Sequence, residues 1–232
     1  MLQTKKEIEH WLNEMEIINY TINEDLTVDV DGSVYLSNKN LKEISIQFNR
    51  INGDFDCYNN QLTSLNGCPQ KINGDFYCSN NQLISLNGCP QEINGDFDCY
   101  NNQLTSLNGC PQKIGGSFNC SYNQLTSLDG CPQKINGDFD CYNNQLISLK
   151  GCPQKIGGSF NCSYNQLISL NGCPQEINGD FYCSNNQLPQ DLLELLENNE
   201  NNQLKIIQLY YFKKELNEEL NNNKIKKKLN KI

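Results

Sequence analysis

Apolar residues recur along most of this chain with a period of 21 residues. The consensus of one unit reads I-x-G-x-F-x-C-x-x-N-Q-L-x-S-L-x-G-C-P-Q-x, and the last unit breaks after Leu188. The isoleucines that open the units are Ile51, Ile72, Ile93, Ile114, Ile135, Ile156 and Ile177. A fixed period of about 20–29 residues is typical of a solenoid. Stacked coils then share an apolar face that no single unit could bury alone.

Each unit predicts one short strand followed by turns. Phe55 and Cys57 alternate with Asp54, Asp56 and Tyr58, which is the two-residue period of a strand with one buried face. Glycine, proline and Asn-Gly pairs then turn the chain back toward the next unit. We expect each coil to advance by about 4.8 Å, one strand spacing.

The segments that flank the repeats predict caps. The Asp31-Gly32 pair lies between alternating apolar residues and predicts a hairpin turn. A degenerate first coil is expected from four apolar positions that match those of the regular units: Val34, Leu36, Leu41 and Ile44. Residues with helical spacing are expected to cover the open end: Ile8, Trp11, Leu12 and Met15. Beyond Pro189, two helices separated by an Asn-rich turn are expected to cover the other end.

These expectations divide the chain into three parts. Residues 1–29 form an N-terminal capping helix and the start of the hairpin, and 30–188 form the solenoid, with regular repeats from 51. Residues 189–232 form a helical cap and a lysine-rich tail, which is expected to fray or to extend a helix.

The motif F-x-C-x-x-N-x-L-x-x-L resembles the leucine-rich-repeat core L-x-L-x-x-N-x-L, with Phe and Cys in two of the leucine places. The segment G-C-P-x-x-I is similar to the short bacterial variety of that repeat, with one extra residue. Residues 19–188 as a whole are similar to repeat proteins of phages and giant viruses. The resemblance implies an α/β solenoid of about eight coils, with a parallel sheet on the concave face and helical caps. It implies no particular activity, because members of that family bind many unrelated partners.

The family's asparagine carries over to one residue in each unit. The positions are Asn60, Asn81, Asn102, Asn123, Asn144, Asn165 and Asn186. An amide both donates and accepts, so a stacked column of asparagines can satisfy backbone groups coil after coil. We therefore expect a structural asparagine ladder rather than catalytic residues.

The outward strand positions should form an acidic, tyrosine-bearing concave face. The candidate contact residues are Asp54, Asp56, Tyr58, Asp75, Tyr77, Asp96, Asp98, Tyr100, Asn119, Asp138, Asp140, Tyr142, Asn161, Asp180 and Tyr182. One interpretation is a solvated surface left by repeat duplication. The other is a surface that binds a basic protein segment, because tyrosine with carboxylate is a plausible recognition mixture. The same tyrosines and amides could bind a saccharide.

Thirteen cysteines fall in two columns, and an odd number without a secretion signal favours reduced thiols. The columns are Cys57, Cys78, Cys99, Cys120, Cys141, Cys162 and Cys183, then Cys68, Cys89, Cys110, Cys131, Cys152 and Cys173. Parallel Cβ directions disfavour disulfides between neighbouring coils. The C-x₂₋₄-C spacing of a metal site is absent, and so are calcium-loop motifs. We expect the cysteines to pack as small apolar residues in the core and to become sensitive to oxidation only when the solenoid opens. We expect neither a metal nor a cofactor.

Catalysis finds no support in the sequence. The Asp54–Asp56 pair recurs in equivalent wet surroundings, whereas paired catalytic carboxylates need different environments. His10 is the only histidine and lies in the expected capping helix. No nucleotide-binding, nucleophile-elbow or zinc-protease motif is present.

Composition restricts the class of partner. A net charge of −9 and a pI near 4.7 argue against binding duplex nucleic acid, although the lysine-rich tail could meet an anionic surface. The sequence contains neither a long apolar run nor a signal peptide. We therefore predict a monomeric, cytoplasmic, non-catalytic module that binds another protein, with a location in the host cytoplasm or the virion if viral. The alternative is a viral or microbial module that recognises carbohydrate or a surface.

Overall fold

The computed structural model describes residues 1–198 and 203–229, and side chains as far as residue 222. The chain forms a β-solenoid of about seven turns with parallel sheets and a few helices, which confirms the prediction of a solenoid. The helices are α1 (Lys5–Glu14), α2 (Gln190–Glu197) and α3 (Gln203–Leu229). The first strands are β1 (Tyr20–Ile22), β2 (Thr27–Val30), β3 (Val34–Tyr35), β4 (Gln47–Ile51) and β5 (Phe55–Asp56).

Each regular coil contributes two strands of two residues rather than the one strand predicted. The strands that end in isoleucine are β6 (Lys71–Ile72), β8 (Glu92–Ile93), β10 (Lys113–Ile114), β12 (Lys134–Ile135), β14 (Lys155–Ile156) and β16 (Glu176–Ile177). The strands that begin with phenylalanine are β7 (Phe76–Tyr77), β9 (Phe97–Asp98), β11 (Phe118–Asn119), β13 (Phe139–Asp140), β15 (Phe160–Asn161) and β17 (Phe181–Tyr182).

The two kinds of strand form separate sheets that meet at a corner. The isoleucine strands form a six-stranded sheet, in the order β1-β2-β4-β6-β8-β10, and a three-stranded sheet, β12-β14-β16. The phenylalanine strands form an eight-stranded sheet from β3 to β17 in which equivalent residues pair in parallel, so Phe97 lies beside Phe118. Glycine N–H groups at the corner donate to the glycine carbonyl of the preceding coil, at 3.0 Å from Gly74 to Gly53. Hydrogen bonding therefore continues around the corner.

The core consists of columns of identical side chains. Phenylalanine rings of neighbouring coils stack along the axis, with centroids 5.2 Å apart between Phe97 and Phe118 and 5.4 Å apart between Phe139 and Phe160. Isoleucine, leucine and cysteine columns lie beside them, and nearly all of these side chains are fully buried. Burial of each large apolar side chain contributes about 1.5–3 kcal/mol, so every added coil extends the same core.

The turn after the second leucine requires glycine. Gly88 has φ +89°, and a Cβ atom on it would lie 2.9 Å from the Leu65 carbonyl oxygen of the preceding coil. A larger residue would therefore collide with a backbone atom that the coil stacking holds in place.

At the N-terminal end, α1 covers the core. Thr4 and Glu7 form a capping box that fixes the start of the helix. The buried Trp11 ring packs edge-on against Phe48, at a centroid distance of 6.2 Å. The predicted hairpin at Asp31-Gly32 is not formed, because β2 pairs antiparallel with β1 and β3 pairs with β5 in the other sheet. Asp31-Gly32 instead occupies the corner that Asn-Gly occupies in later coils.

At the C-terminal end, α2 and α3 pack against the last coils. Leu192, Leu196 and Ile207 are buried, and the Tyr211 hydroxyl accepts the Leu170 N–H at 2.7 Å. The expected Asn-rich turn falls largely on 199–202, outside the described residues, and so does the end of the lysine-rich tail, 230–232. Among the described residues, no helix has the length and apolar character required to cross a membrane.

Candidate functional site

Each asparagine of the column hydrogen-bonds one backbone N–H and three backbone carbonyls, one of which belongs to the residue two positions earlier. Asn123 Oδ1 accepts the Leu104 N–H at 3.0 Å, and its Nδ2 donates to the carbonyls of Cys99 and Cys120 at 3.1 and 3.2 Å. All the predicted asparagines, from Asn60 to Asn186, make the equivalent contacts. Most are buried. Their amides are fully used within the fold.

The first outward column is a second ladder, a role that the sequence analysis did not predict. Asp54 Oδ1 accepts the Asp75 N–H at 2.9 Å, and Asp75 Oδ1 accepts the Asp96 N–H at 2.7 Å. Asp138 does the same for the Ser159 N–H, and serines take the aspartate's place in other coils. Asp96 Oδ1 accepts the Ser117 N–H at 2.7 Å. The predicted contact residues Asp54, Asp75, Asp96 and Asp138 therefore also help to join neighbouring coils.

Tyrosine hydroxyls bind the remaining carboxylate oxygen in two coils. Tyr77 donates to Asp75 Oδ2 at 2.7 Å, and Tyr182 donates to Asp180 Oδ2 at 3.0 Å. Partial burial raises the pKa of Tyr77, and the hydrogen bond to Asp75 raises it further. Asp180 and Tyr182 lie on the last coil, and both are exposed.

The second outward column holds carboxylates in tight local turns. Oδ1 of Asp56, Asp98 and Asp140 accepts the N–H two residues further on, at 2.8 Å in each case. Asn119 and Asn161 accept equivalent N–H groups at 3.0 and 3.1 Å. An amide therefore replaces the carboxylate here without loss of the turn.

These carboxylates are partly buried, and none of them forms an ion pair with a residue that the structure describes. Desolvation raises the pKa of Asp98 and Asp140 above the ordinary range, and hydrogen bonds from Tyr100 and Tyr142 N–H groups offset part of the rise. The ion pairs recorded among the described residues all lie elsewhere. The negative charge of this face is therefore not neutralised within the described part of the chain.

Four tyrosines form a continuous row along the face, which we call the tyrosine ridge: Tyr100, Tyr122, Tyr142 and Tyr164. Successive ring centroids are 5.1, 5.3 and 5.0 Å apart. The rings come alternately from two sequence positions, because coils with Cys-Tyr-Asn-Asn alternate with coils with Cys-Ser-Tyr-Asn. The contact of Tyr100 with Tyr122 is edge-to-face and the other two are tilted, and such contacts hold the rings in a defined arrangement.

Tyr122 and Tyr164 were missed as candidate residues. They occupy a left-handed turn, with φ +53° and +55°, where most coils have asparagine. Their side chains are 41% and 49% exposed. A tyrosine in this conformation is locally unfavourable. The sequence does contain a signal for these two tyrosines. Tyr-Asn in one coil is replaced by Ser-Tyr in the next, so each coil of the ridge keeps one aromatic ring.

The ridge is interrupted one coil before Tyr100. In the coil from 72 to 92, the two positions that can carry a ridge tyrosine are occupied by Ser79 and Asn80. Tyr58 lies on the coil before it. A depression of about 450 Å³ opens here, with Tyr58 and Tyr100 at its sides. Ser79 is only 2% exposed and lines the depression.

The structure therefore gathers part of the predicted contact set around one depression. Six predicted residues line it: Asp56, Tyr58, Tyr77, Asp98, Tyr100 and Asn119. Asp140, Tyr142 and Asn161 lie further along the same face, beside the tyrosine ridge. We use the name tyrosine–aspartate face for this surface, from Asp56 to Tyr164.

Most thiols of the cysteine columns are inaccessible in the folded protein. Eleven of the thirteen thiols are buried, and burial raises their pKa values where a shift is resolved. Cys183, on the last coil, is only partly buried, and burial raises its pKa to about 11. Within the described residues, no group of three or more His, Cys, Asp or Glu side chains is placed to hold a metal ion. His10 is exposed and pairs with Glu14 on α1.

No protein-family model matches this chain. No curated protein and no solved structure matches it either.

Proposed function

We propose that this protein is a non-catalytic binding module that recognises a basic protein segment through the tyrosine–aspartate face. The observation that carries the proposal is the combination of a row of exposed and half-buried tyrosines with partly buried carboxylates that lack an ion-pair partner in the described residues. A cationic partner would supply the missing charge.

The energetics favour this combination as a contact surface. Tyrosine offers a large contact area at a low entropic cost, because it has few rotatable bonds. Rings that already contact one another, such as Tyr122 between Tyr100 and Tyr142, lose still less freedom on binding. Carboxylates in partly desolvated positions attract cations more strongly than fully hydrated ones.

The native repeats supply substitutions that should not disturb the fold. Asp56→Asn, Asp98→Asn and Asp140→Asn together remove three charges and introduce the residue already present at 119 and 161. A control with Glu92→Gln, Asp129→Asn and Glu176→Gln removes the same charge outside this face. The pair separates loss of this surface from loss of net charge.

The test is binding to arrays of short peptides that contain arginine or lysine, at increasing salt. We expect the intact protein and the control to retain basic peptides, the face variant to lose them, and binding to weaken as salt rises. Loss of binding in the control and the face variant alike would reject the face as the contact surface. Retention by all three proteins, or by none, would also overturn the proposal.

Carbohydrate recognition is the second candidate. It is favoured by the exposed rings of the ridge, which alternate with amides of Asn101 and Asn143. A glycan array probed with the same three proteins distinguishes the candidates, because binding to neutral sugars should not depend on salt.

The finer descriptions of the chain remain predictions. They are the kinship with leucine-rich-repeat proteins, the α/β class, a total of eight coils, the monomeric state, and a viral origin or cytoplasmic location. Their support is the sequence motif and composition.

A further inference from the structure

The depression beside Tyr58 lies where the row of tyrosines lacks one ring. In the tyrosine ridge, Tyr100 and Tyr142 lie two coils apart and hold the Tyr122 ring between them, at 5.1 and 5.3 Å. Tyr58 and Tyr100 are also two coils apart at the same repeat position, about 10 Å along the axis at one strand spacing per coil. The coil between them has Ser79 and Asn80 instead of a tyrosine. Both tyrosines line the depression, and we call the space between them the slot, which has room for at least one flat group.

The charge around this slot favours a cation. Asp56 and Asp98 line it from the coils on either side, and no lysine or arginine is among the residues that line it. Each carboxylate uses Oδ1 for the N–H of its own turn, but a carboxylate has about four acceptor positions. The Tyr77 hydroxyl, which also lines the slot, donates its hydrogen to Asp75 rather than to Asp56 or Asp98.

We propose that this slot binds the guanidinium group of an arginine side chain on the protein partner. The group stacks between Tyr58 and Tyr100 and hydrogen-bonds to Asp56 and Asp98. The inference rests on the proposed function and names the side chain that the face recognises.

Arginine fits the slot better than lysine does. Its guanidinium is flat, weakly hydrated and able to stack on aromatic faces while it donates to carboxylates. The lysine ammonium is compact and strongly hydrated, and it leaves a ring-shaped slot partly empty. A neutral flat group would fill the space, but it would leave the desolvated carboxylates unpaired.

One substitution closes the slot in a conformation that the protein already uses. Asn80 has φ +53°, the same value as Tyr122, so Asn80→Tyr creates the Cys-Ser-Tyr-Asn sequence of two other coils. The new ring would occupy the gap and leave both carboxylates in place. Asn185→Tyr is the matched control, because residues 76–83 and 181–188 are identical and Asn185 has φ +54°.

The experiment titrates the full chain with N-acetyl-arginine amide and follows backbone amide signals by two-dimensional NMR. N-acetyl-lysine amide and N-acetyl-citrulline amide serve as comparison probes, and citrulline keeps the shape of arginine without its charge. We expect saturable shifts at residues 58, 79, 80 and 100 with the arginine probe. Affinity should fall about tenfold or more with Asn80→Tyr or Asp98→Asn, and it should not change with Asn185→Tyr.

Equal binding of the arginine and citrulline probes would overturn the inference, and so would unchanged affinity in Asn80→Tyr. If Asn80→Tyr still binds basic peptides on the array, but the Asp→Asn face variant does not, the slot is rejected and the proposed function stands. If the arginine probe binds the slot, but the intact protein retains no basic peptide, the slot stands and the proposed function is rejected.

Discussion

Asparagine 123 offers a direct test of how the coils are held together. Asn123→Ala removes one acceptor and one amide donor group from a buried position, where the side chain is 8% exposed. The Leu104 N–H and the carbonyls of Cys99 and Cys120 then lose this partner. The Leu104 N–H is left unsatisfied, which costs about 1–3 kcal/mol. The carbonyls of Cys99 and Cys120 each lose one hydrogen bond but keep one from Asn102 and Asn144. With about 0.5–1.5 kcal/mol for each of these lost bonds, we expect a loss of about 2–5 kcal/mol in the free energy of unfolding.

The last coil supplies the matched control. Asn186 makes the same three contacts, with Leu167 N–H and the carbonyls of Cys162 and Cys183, but it is only partly buried. Water can replace the lost amide there, so Asn186→Ala should cost only about 1 kcal/mol. Urea unfolding followed by far-ultraviolet circular dichroism measures both losses. Equal costs at the two positions, or a cost below about 1 kcal/mol for Asn123→Ala, would refute the account of the ladder as a buried backbone partner.

Three further predictions concern thiols, carboxylates and turns. Cys183 should be the first thiol labelled by a disulfide reagent in the native protein at pH 8, because it is only partly buried. The buried thiols should react only on unfolding, and mass mapping that finds a buried cysteine labelled first would contradict this. The raised pKa values of Asp98 and Asp140 mean that the folded state binds these protons more tightly than the unfolded state, so stability falls as pH rises from the ordinary carboxyl range through the raised values. Changing both Asp98 and Asp140 to Asn should raise the melting temperature at pH 7, by about 2–4 °C for each kcal/mol gained, and should reduce the dependence of stability on pH. An unchanged dependence on pH would count against burial as the cause of the raised pKa values. Gly88→Ala should destabilise the fold by about 1–3 kcal/mol in thermal denaturation, since φ is +89° and the Leu65 carbonyl blocks the new Cβ; a neutral effect would show that the turn can relax.

The sequence predicts the solenoid because one residue type recurs at each core position. Identical side chains at a fixed spacing can stack only if the coils repeat in space, so the phenylalanine and leucine columns follow from the period alone. The isoleucine strands could not be predicted in the same way, because two residues beside a corner show no alternation. The pairing of β2 with β1, rather than with β3, was equally hidden, since Asp-Gly suits both a hairpin and a corner.

The candidate site could be predicted only in outline. The acidic and aromatic character of the face follows from strand alternation. The sequence does not tell whether Asp54 points to solvent or accepts the N–H of the next coil, because that depends on the rise between coils. The contribution of Tyr122 depends on a left-handed turn that brings its ring into line with Tyr100.

The alternation of the tyrosine ridge has a consequence for how such a protein could change over generations. Residues 93–134 form a pair of unlike coils, and 135–176 repeat that pair. Duplication or loss of a 42-residue pair by recombination would lengthen or shorten the ridge by about 10 Å without a change in its pattern. Insertion of a single coil would place two like coils side by side and break the alternation. The heritable unit of this surface is therefore two coils, although the unit of the core is one.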